Sequence, residues 1–324
     1  MASRVLLDIK GLKVYFNTYA GVVKAVDGVD LSIMQGESFA LVGETGCGKS
    51  TVARAILRLV PPPGRIVSGE IIFDGRDLMK LSESELRKIR GSEIAYICQD
   101  PSSALDPLFT CGHQIAETIV SHDTVKWSSA FSKALKLLIR VAIPEAKKRM
   151  SSFPHELSGG MKQRVVISIS ISNNPKLLIA DEPTTALDVT IQAQIMDLIM
   201  SLKESHNMTL LLITHNLGLV AEYCDRVAVM YLGKVVEVAS VAELFERPLH
   251  PYTQGLLRAV PNPLKSIAYL EPIPGVIPSP IDLPPGCRFH PRCPFAMDVC
   301  RSREPSLVEV EPNHYVACWK YQKT

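Results

Sequence analysis

Eight consecutive residues carry the types and spacing of a phosphate cradle. Gly43-Glu44-Thr45-Gly46-Cys47-Gly48-Lys49-Ser50 fits the pattern GxxxxGK followed by Ser or Thr, with an apolar run (SFALV) before it and a helix-forming run (KSTVARAILRLV) after it. That strand, loop and helix context is what such a motif requires. Glycines let the backbone turn its N–H groups onto phosphate oxygens at a helix N-terminus. Lys49 then reaches the β- and γ-phosphates, the Ser50 hydroxyl ligates Mg²⁺, and Thr51 follows on the helix. A second constellation, Leu177-Leu178-Ile179-Ala180-Asp181-Glu182, is an apolar strand that delivers two carboxylates at its C-terminal end, where ligands sit in open α/β sheets. Asp181 suits holding Mg²⁺ through water, and Glu182 suits polarising an attacking water as general base.

The elements that must position these groups read as a mixed α/β chain. Val5 to Ile9, Ala25 to Ile33 and Ser38 to Val42 are short β-branched runs punctuated by Gly21, Gly28 and Gly36, which predicts strands and turns. The helix opening at Lys49 is expected to run to Val60, where Pro61-Pro62-Pro63-Gly64 stops it. Between about 101 and 172 the periodicity becomes helical, most clearly over Ala130 to Val141, and predicts a helical insertion. KLLIAD, TLLLIT and RVAVMYLGKVVEV then restore strands separated by helices, the alternation of a largely parallel sheet.

Composition narrows the class. A hydrophobic fraction of 47% and 35 basic against 33 acidic residues describe an ordinary globular chain, not the basic surface of a nucleic-acid binder. MASRVLLDIKGLKV is broken by Asp8 and Lys10 and lacks a signal-peptide core, and no uncharged apolar run reaches the roughly 18 residues of a membrane span. The expectation is a chain that acts on a membrane only through partners. At 324 residues an α/β core of roughly 250 residues plus an appendage is expected, divided as 1–250 and 251–324.

A third motif discriminates among nucleotide-binding loops. Leu157-Ser158-Gly159-Gly160-Met161-Lys162-Gln163-Arg164 lies shortly before the carboxylate strand and resembles the LSGGQ signature of the ABC ATPase family, with Met161 where that family most often has Gln. Ser158, Gly159 and Gly160 would open a helix and hold a γ-phosphate. Gln99 in AYICQDP matches the family's Q-loop glutamine, Thr185-Ala186-Leu187-Asp188 its D-loop, and His215 in LLITHN its switch histidine. Phe16 aligns with the aromatic that stacks on adenine; the adjacent Tyr15, or a core role for either, stays open. The resemblance implies a P-loop NTPase (RecA-like) core with an N-terminal antiparallel β subdomain, an inserted helical subdomain at about 101–172, and a small loop-rich C-terminal appendage. It also implies ATP and Mg²⁺ as ligands and two cassettes that sandwich two ATPs head to tail.

QDPSSALDPLFT, PHELSGGMKQR, ADEPTTALDVTIQAQI and especially HPYTQGLLRAVPNP (250–263) further resemble the oligopeptide/dipeptide importer ATPases. That likeness implies a second ATPase subunit, two transmembrane permease subunits, an extracytoplasmic peptide-binding protein, no nucleic acid, and a place on the cytoplasmic face of the membrane. Importers of nickel or another small solute, and soluble ABC ATPases acting on DNA or ribosomes, are the alternatives. The chain has one cassette and neither the heptads nor the charge of the latter.

Four of the eight cysteines, Cys287, Cys293, Cys300 and Cys318, crowd into the last 40 residues of a proline-rich segment with little apolar material. In a reducing compartment metal–thiolate bonds are the available staple. The spacing lacks the close Cys pairs of zinc ribbons, and the Cys293-Pro294 step suits an iron–sulfur cluster. Zinc or unmetallated thiols remain open. The peptide-importer resemblance likewise implies a 4Fe–4S cluster on these four residues.

Overall fold

The computed structural model describes residues 4–185, 187–259 and 272–322, with the backbone alone at Val189. Ala186 of the D-loop and the VPNP end of the 250–263 segment lie outside the described residues. The chain divides into two compact units. One comprises residues 1–79 and 213–324, the other residues 80–212.

The first unit opens with two 14-residue strands, β1 (Val5–Thr18) and β2 (Gly21–Met34), paired antiparallel. Period-2 burial along β1 places Leu7 and Ile9 inside, then Leu12 and Val14. The change from odd to even positions comes from a bulge between Ile9 and Leu12, which inserts an extra residue and flips the inward face. After β3 (Ser38–Val42) comes α1 (Lys49–Ile56), then β4 (Gly64–Phe73) on the free edge of β1 and the short β5 (Arg76–Asp77). Helix α1 stops four residues earlier than the periodicity predicts, because Arg58 turns to φ 51° ahead of the prolines.

The second unit follows in sequence: α2 (Glu83–Ile89), β6 (Ile94–Ile97), α3 (Pro101–Ala104), α4 (Cys111–His122), α5 (Trp127–Arg140), α6 (Ala146–Arg149), α7 (Gly159–Ile171), β7 (Leu177–Asp181) and α8 (Val189–His206). Strands β6 and β7 run parallel. All five residues of β7 are buried, as expected of a strand covered on both faces. Helix α5 buries Ala130, Ala134 and Leu138, one residue per turn of an amphipathic stripe.

Strand β8 (Thr209–Thr214) carries the chain back to the first unit, which continues with α9 (Leu217–Tyr223), β9 (Arg226–Tyr231) and β10 (Lys234–Ser240). Strands β3 and β9 are parallel, whereas β9 and β10 form an antiparallel hairpin. The hairpin departs from the parallel alternation read in the sequence. Its turn places Leu232 at φ 42° and Gly233 at φ 77°, the double positive φ that matches strand twist. After α10 (Val241–Glu246), α11 (Pro251–Arg258) and α12 (Asp298–Ser302), the short β11 (Val308–Glu311) and β12 (His314–Val316) extend the β10 edge, giving the order β11-β12-β10-β9-β3.

Residues beyond 250 share this core. The Tyr231 ring lies 4.7 Å from Tyr252 and 5.2 Å, edge on, from Phe289, and all three are buried. Aromatic burial of this kind is the largest apolar contribution per residue. Glu237 of β10, fully buried, accepts the Leu249 and His250 N–H groups at 2.7 and 2.9 Å and faces His314 Nε2 at 2.8 Å. Three partners for one interior carboxylate meet the condition under which such a group can be buried.

Candidate nucleotide site

In the first unit the loop from Gly43 to Gly48 turns back on itself at the end of β3. Gly48 caps α1 at φ 109°, and a Cβ there would lie 2.2 Å from the Ala25 carbonyl oxygen. Gly43, at φ 150°, has the Met230 carbonyl oxygen at the same 2.2 Å. Only glycine fits either place. Lys49 is 5% exposed and sends Nζ to the Gly43 and Glu44 carbonyls at 2.7 and 3.2 Å, so its ammonium is held at the loop's centre. Ser50 and Thr51 follow in the first turn of α1 and are half-buried. Cys47 is buried and its thiol is pushed up by that burial, which makes it a packing residue of the loop and no nucleophile.

Strand β1 presents Phe16 and Tyr15 in different ways. The Phe16 ring packs on Gly64, where a Cβ would come within 2.4 Å of it. Tyr15 donates its hydroxyl to Asp27 at 2.6 Å, and burial followed by that carboxylate pushes the phenol up to about 12. Burial works against the Asp27 carboxylate, but the Tyr15 hydroxyl and the Arg288 guanidinium outweigh it and hold the carboxyl below its usual range. Tyr15 is thus committed to a polar network. His215, just past β8, is exposed.

The second unit assembles its own group. Asp181, at the end of β7, is 1% exposed and takes the Tyr96 hydroxyl at 2.8 Å. Glu182 follows at φ 48°, a left-handed conformation that is costly for a non-glycine residue and concentrates at functional sites. Its Oε2 accepts both the Gln99 amide and the Thr185 hydroxyl at 2.9 Å. Ser158 N-caps α7; Gly159 and Gly160 form the helix's first turn, and a Cβ on Gly160 would press Ile191 of α8 at 3.2 Å. Asp188 caps α8 through the Ile191 N–H at 3.0 Å. Strand-end carboxylates, two capped helix starts and the Gln99–Glu182 contact are what an anion-binding hydrolase needs. Tyr96 was missed by the sequence reading, although its place three residues before Gln99 on β6 puts it beside β7.

The appendage reaches back to the phosphate loop. Arg292 pairs with Glu44 through two hydrogen bonds of 2.8 and 3.2 Å, and the Glu44 N–H donates to the Tyr252 hydroxyl at 2.9 Å. The four tail cysteines are all free thiols. Burial pushes up Cys287, to about 12, and Cys293 and Cys318 as well. The backbone at Phe289, Phe295 and Lys320 respectively works against that rise without cancelling it. Still, among the described residues no group of three or more His, Cys, Asp or Glu is arranged to hold a metal ion. The metal centre expected from the spacing is therefore not found as a formed pocket: Cys300 is buried, and Cys287, Cys293 and Cys318 are half-buried. Among the described residues, no helix is long and apolar enough to cross a membrane.

Comparison with known proteins agrees with this geometry. Residues 26–185 match the ABC transporter family, and residues 236–300 match the family described as oligopeptide/dipeptide transporter, C-terminal region. The oligopeptide transport ATP-binding protein AppD of Bacillus subtilis is 49% identical over 319 residues, covering 98% of this chain and 97% of that protein. The dipeptide transport ATP-binding protein DppD of Escherichia coli is 47% identical over 302 residues, covering 93% and 92%. Among solved structures, the dimeric post-hydrolysis state of the ATP-binding cassette MJ0796 bound to ADP and Pi superposes with a TM-score of 0.66 at 27% identity, over 73% of this chain and 99% of that one. The chain belongs to the ABC transporter ATP-binding proteins, in the branch that carries the oligopeptide/dipeptide C-terminal region, and its fold is that of an ATP-hydrolysing cassette.

Proposed function

We propose that this chain powers an importer of dipeptides or oligopeptides by binding and hydrolysing ATP at the cytoplasmic face of a membrane. The observation that carries the peptide assignment is the 236–300 match to the oligopeptide/dipeptide C-terminal region. Its partners are a second ATPase cassette, two transmembrane permease subunits and an extracytoplasmic peptide-binding protein. No nucleic acid takes part.

Lys49 and the loop N–H groups hold the phosphates, while Ser50, Gln99 and Asp181 serve Mg²⁺. Phe16 stacks on adenine. The attacking water gives its proton to Glu182, which Gln99 and Thr185 hold in place, and His215 contacts the γ-phosphate. Ser158, Gly159, Gly160 and Asp188 serve the ATP held mainly by the opposite cassette, so each site is completed by two chains. Support for the dimer comes from the cassette MJ0796, described as dimeric.

Cys287, Cys293, Cys300 and Cys318 hold a 4Fe–4S cluster. Support for this reading comes from the sequence alone, four cysteines and a Cys293-Pro294 step within one proline-rich segment, and not from a formed metal pocket among the described residues. When bound, the cluster would tie together the chain between Cys287 and Cys318.

The test is ATPase activity of the chain co-purified with its permease in membranes. Stimulation by a binding protein loaded with di- to pentapeptides is expected. Stimulation by a nickel-loaded binding protein, or co-purification with ribosomes or DNA in place of a permease, would replace the peptide reading.

A further inference from the structure

Glu44 is gripped on both its side chain and its backbone by residues more than 200 positions further along the chain. The Arg292 side chain is 4% exposed and its fork meets the Glu44 carboxylate at 2.8 and 3.2 Å. Two further donors are used: Nε bonds the Pro274 carbonyl at 3.1 Å and Nη2 the Ile273 carbonyl at 3.4 Å, with the guanidinium 5.8 Å from the Tyr231 ring centroid. Tyr252, fully buried, accepts the Glu44 N–H at 2.9 Å. Along its other flank the loop faces Ile277 to Pro280 across a cavity of about 280 Å³, so solid packing does not brace it there.

Two physical needs meet at this tie. A glycine-rich loop has little intrinsic preference for one conformation, so an outside restraint must keep its N–H groups convergent. The loop also carries the Glu44 carboxylate, and an unpaired anion near bound phosphate would repel it. A bidentate arginine answers both, since its planar fork fixes direction while its charge neutralises.

We propose that Arg292 is a positioning residue for the phosphate loop: by holding the Glu44 carboxylate it keeps that charge off the nucleotide and sets the loop, so that ATP affinity depends on the C-terminal appendage. The proposal rests on reading residues 43–50 as the phosphate loop.

Mg²⁺–ATP affinity of the full-length chain, by calorimetry, and KM and kcat for ATP in the assembled transporter test it, with thermal unfolding as the check on folding. In Arg292→Gln, Kd and KM for ATP are expected to rise about tenfold with kcat retained; a loss of folded protein would lower kcat instead. Neutralising the carboxylate should rescue, so the Arg292→Gln, Glu44→Gln double variant should bind within about threefold of the parent. Unchanged affinity in Arg292→Gln, or an equal loss in single and double variants, overturns the proposal. Should Arg292→Gln not fold, Arg292→Lys, which keeps charge but loses the fork, must still raise KM severalfold; an unchanged KM there overturns it too. Lys49→Ala separates the two readings. If that variant binds ATP normally, the phosphate-loop reading itself fails, whereas lost binding in Lys49→Ala with no effect at Arg292 defeats this inference alone.

Discussion

Gln99 donates its side-chain amide to Glu182 Oε2 at 2.9 Å, joining the end of β6 to the end of β7. The same oxygen takes the Thr185 hydroxyl at 2.9 Å, and Glu182 itself sits at φ 48°. Two donors on one oxygen fix the direction of the carboxylate, as a base that must meet a water requires.

Glu182→Gln should therefore bind ATP within about threefold of the parent while kcat falls by about 10²- to 10³-fold. Size-exclusion chromatography with ATP should show a persistent dimer. Near-normal turnover would remove Glu182 from its role. Thr185→Val, which loses only one of the two donors, should cost about tenfold in kcat.

The loop glycines differ in what surrounds them. Gly48→Ala drives a methyl to 2.2 Å from the Ala25 carbonyl oxygen at φ 109°, and should cost more than about 2 kcal/mol in urea unfolding and abolish ATP binding. Gly46 has a positive φ of 83° but nothing within 4 Å. Gly46→Ala should lose only about 1 kcal/mol, the cost of the strained backbone alone.

Acid should destabilise the fold through His250. Burial pushes this imidazole from 6.5 down to about 3, so above pH 6.5 neither folded nor unfolded chain is protonated there and the residue is neutral to stability. Below 6.5 the unfolded chain takes a proton that the folded one refuses, and stability falls by up to about 1.4 kcal/mol per pH unit until about pH 3. His250 Nδ1 also accepts the Tyr252 N–H at 3.0 Å as the cap of α11. Asparagine can cap there without titrating. Between pH 7 and 5 the parent should lose about 2 kcal/mol more than His250→Asn; equal losses would show that His250 is solvated.

Anaerobic purification tests the tail. A brown protein with about four irons and four sulfides per chain, absorbing near 400 nm and losing both in Cys293→Ser, is the expected result. One zinc per chain, or no metal, would reject the cluster and leave the ATPase assignment intact.

Much of the nucleotide chemistry was written locally. Residues 43–50 and 177–182 are each a contiguous run whose spacing is itself the geometry, because a loop entering a helix and a strand ending in carboxylates are built by neighbouring residues. The helix start at Ser158 was legible for the same reason, whereas Asp188, read only as a D-loop residue, proved to be the cap of α8. Where the reading slipped, the cause was backbone detail: α1 ends early at Arg58, and β10 returns antiparallel.

The sequence by itself determined the family and supplied the candidate phosphate loop and candidate catalytic carboxylate. Only the tertiary structure decided what holds them: Arg292 on Glu44, Tyr252 on the Glu44 backbone, Arg288 on Asp27, and His314 on Glu237. A charge pair separated by 248 positions leaves no periodic mark in the chain. Hydrophobic patterning repeats over a few residues and reports which face is buried, whereas the partner of a buried charge is chosen by which distant segment the packing brings against it.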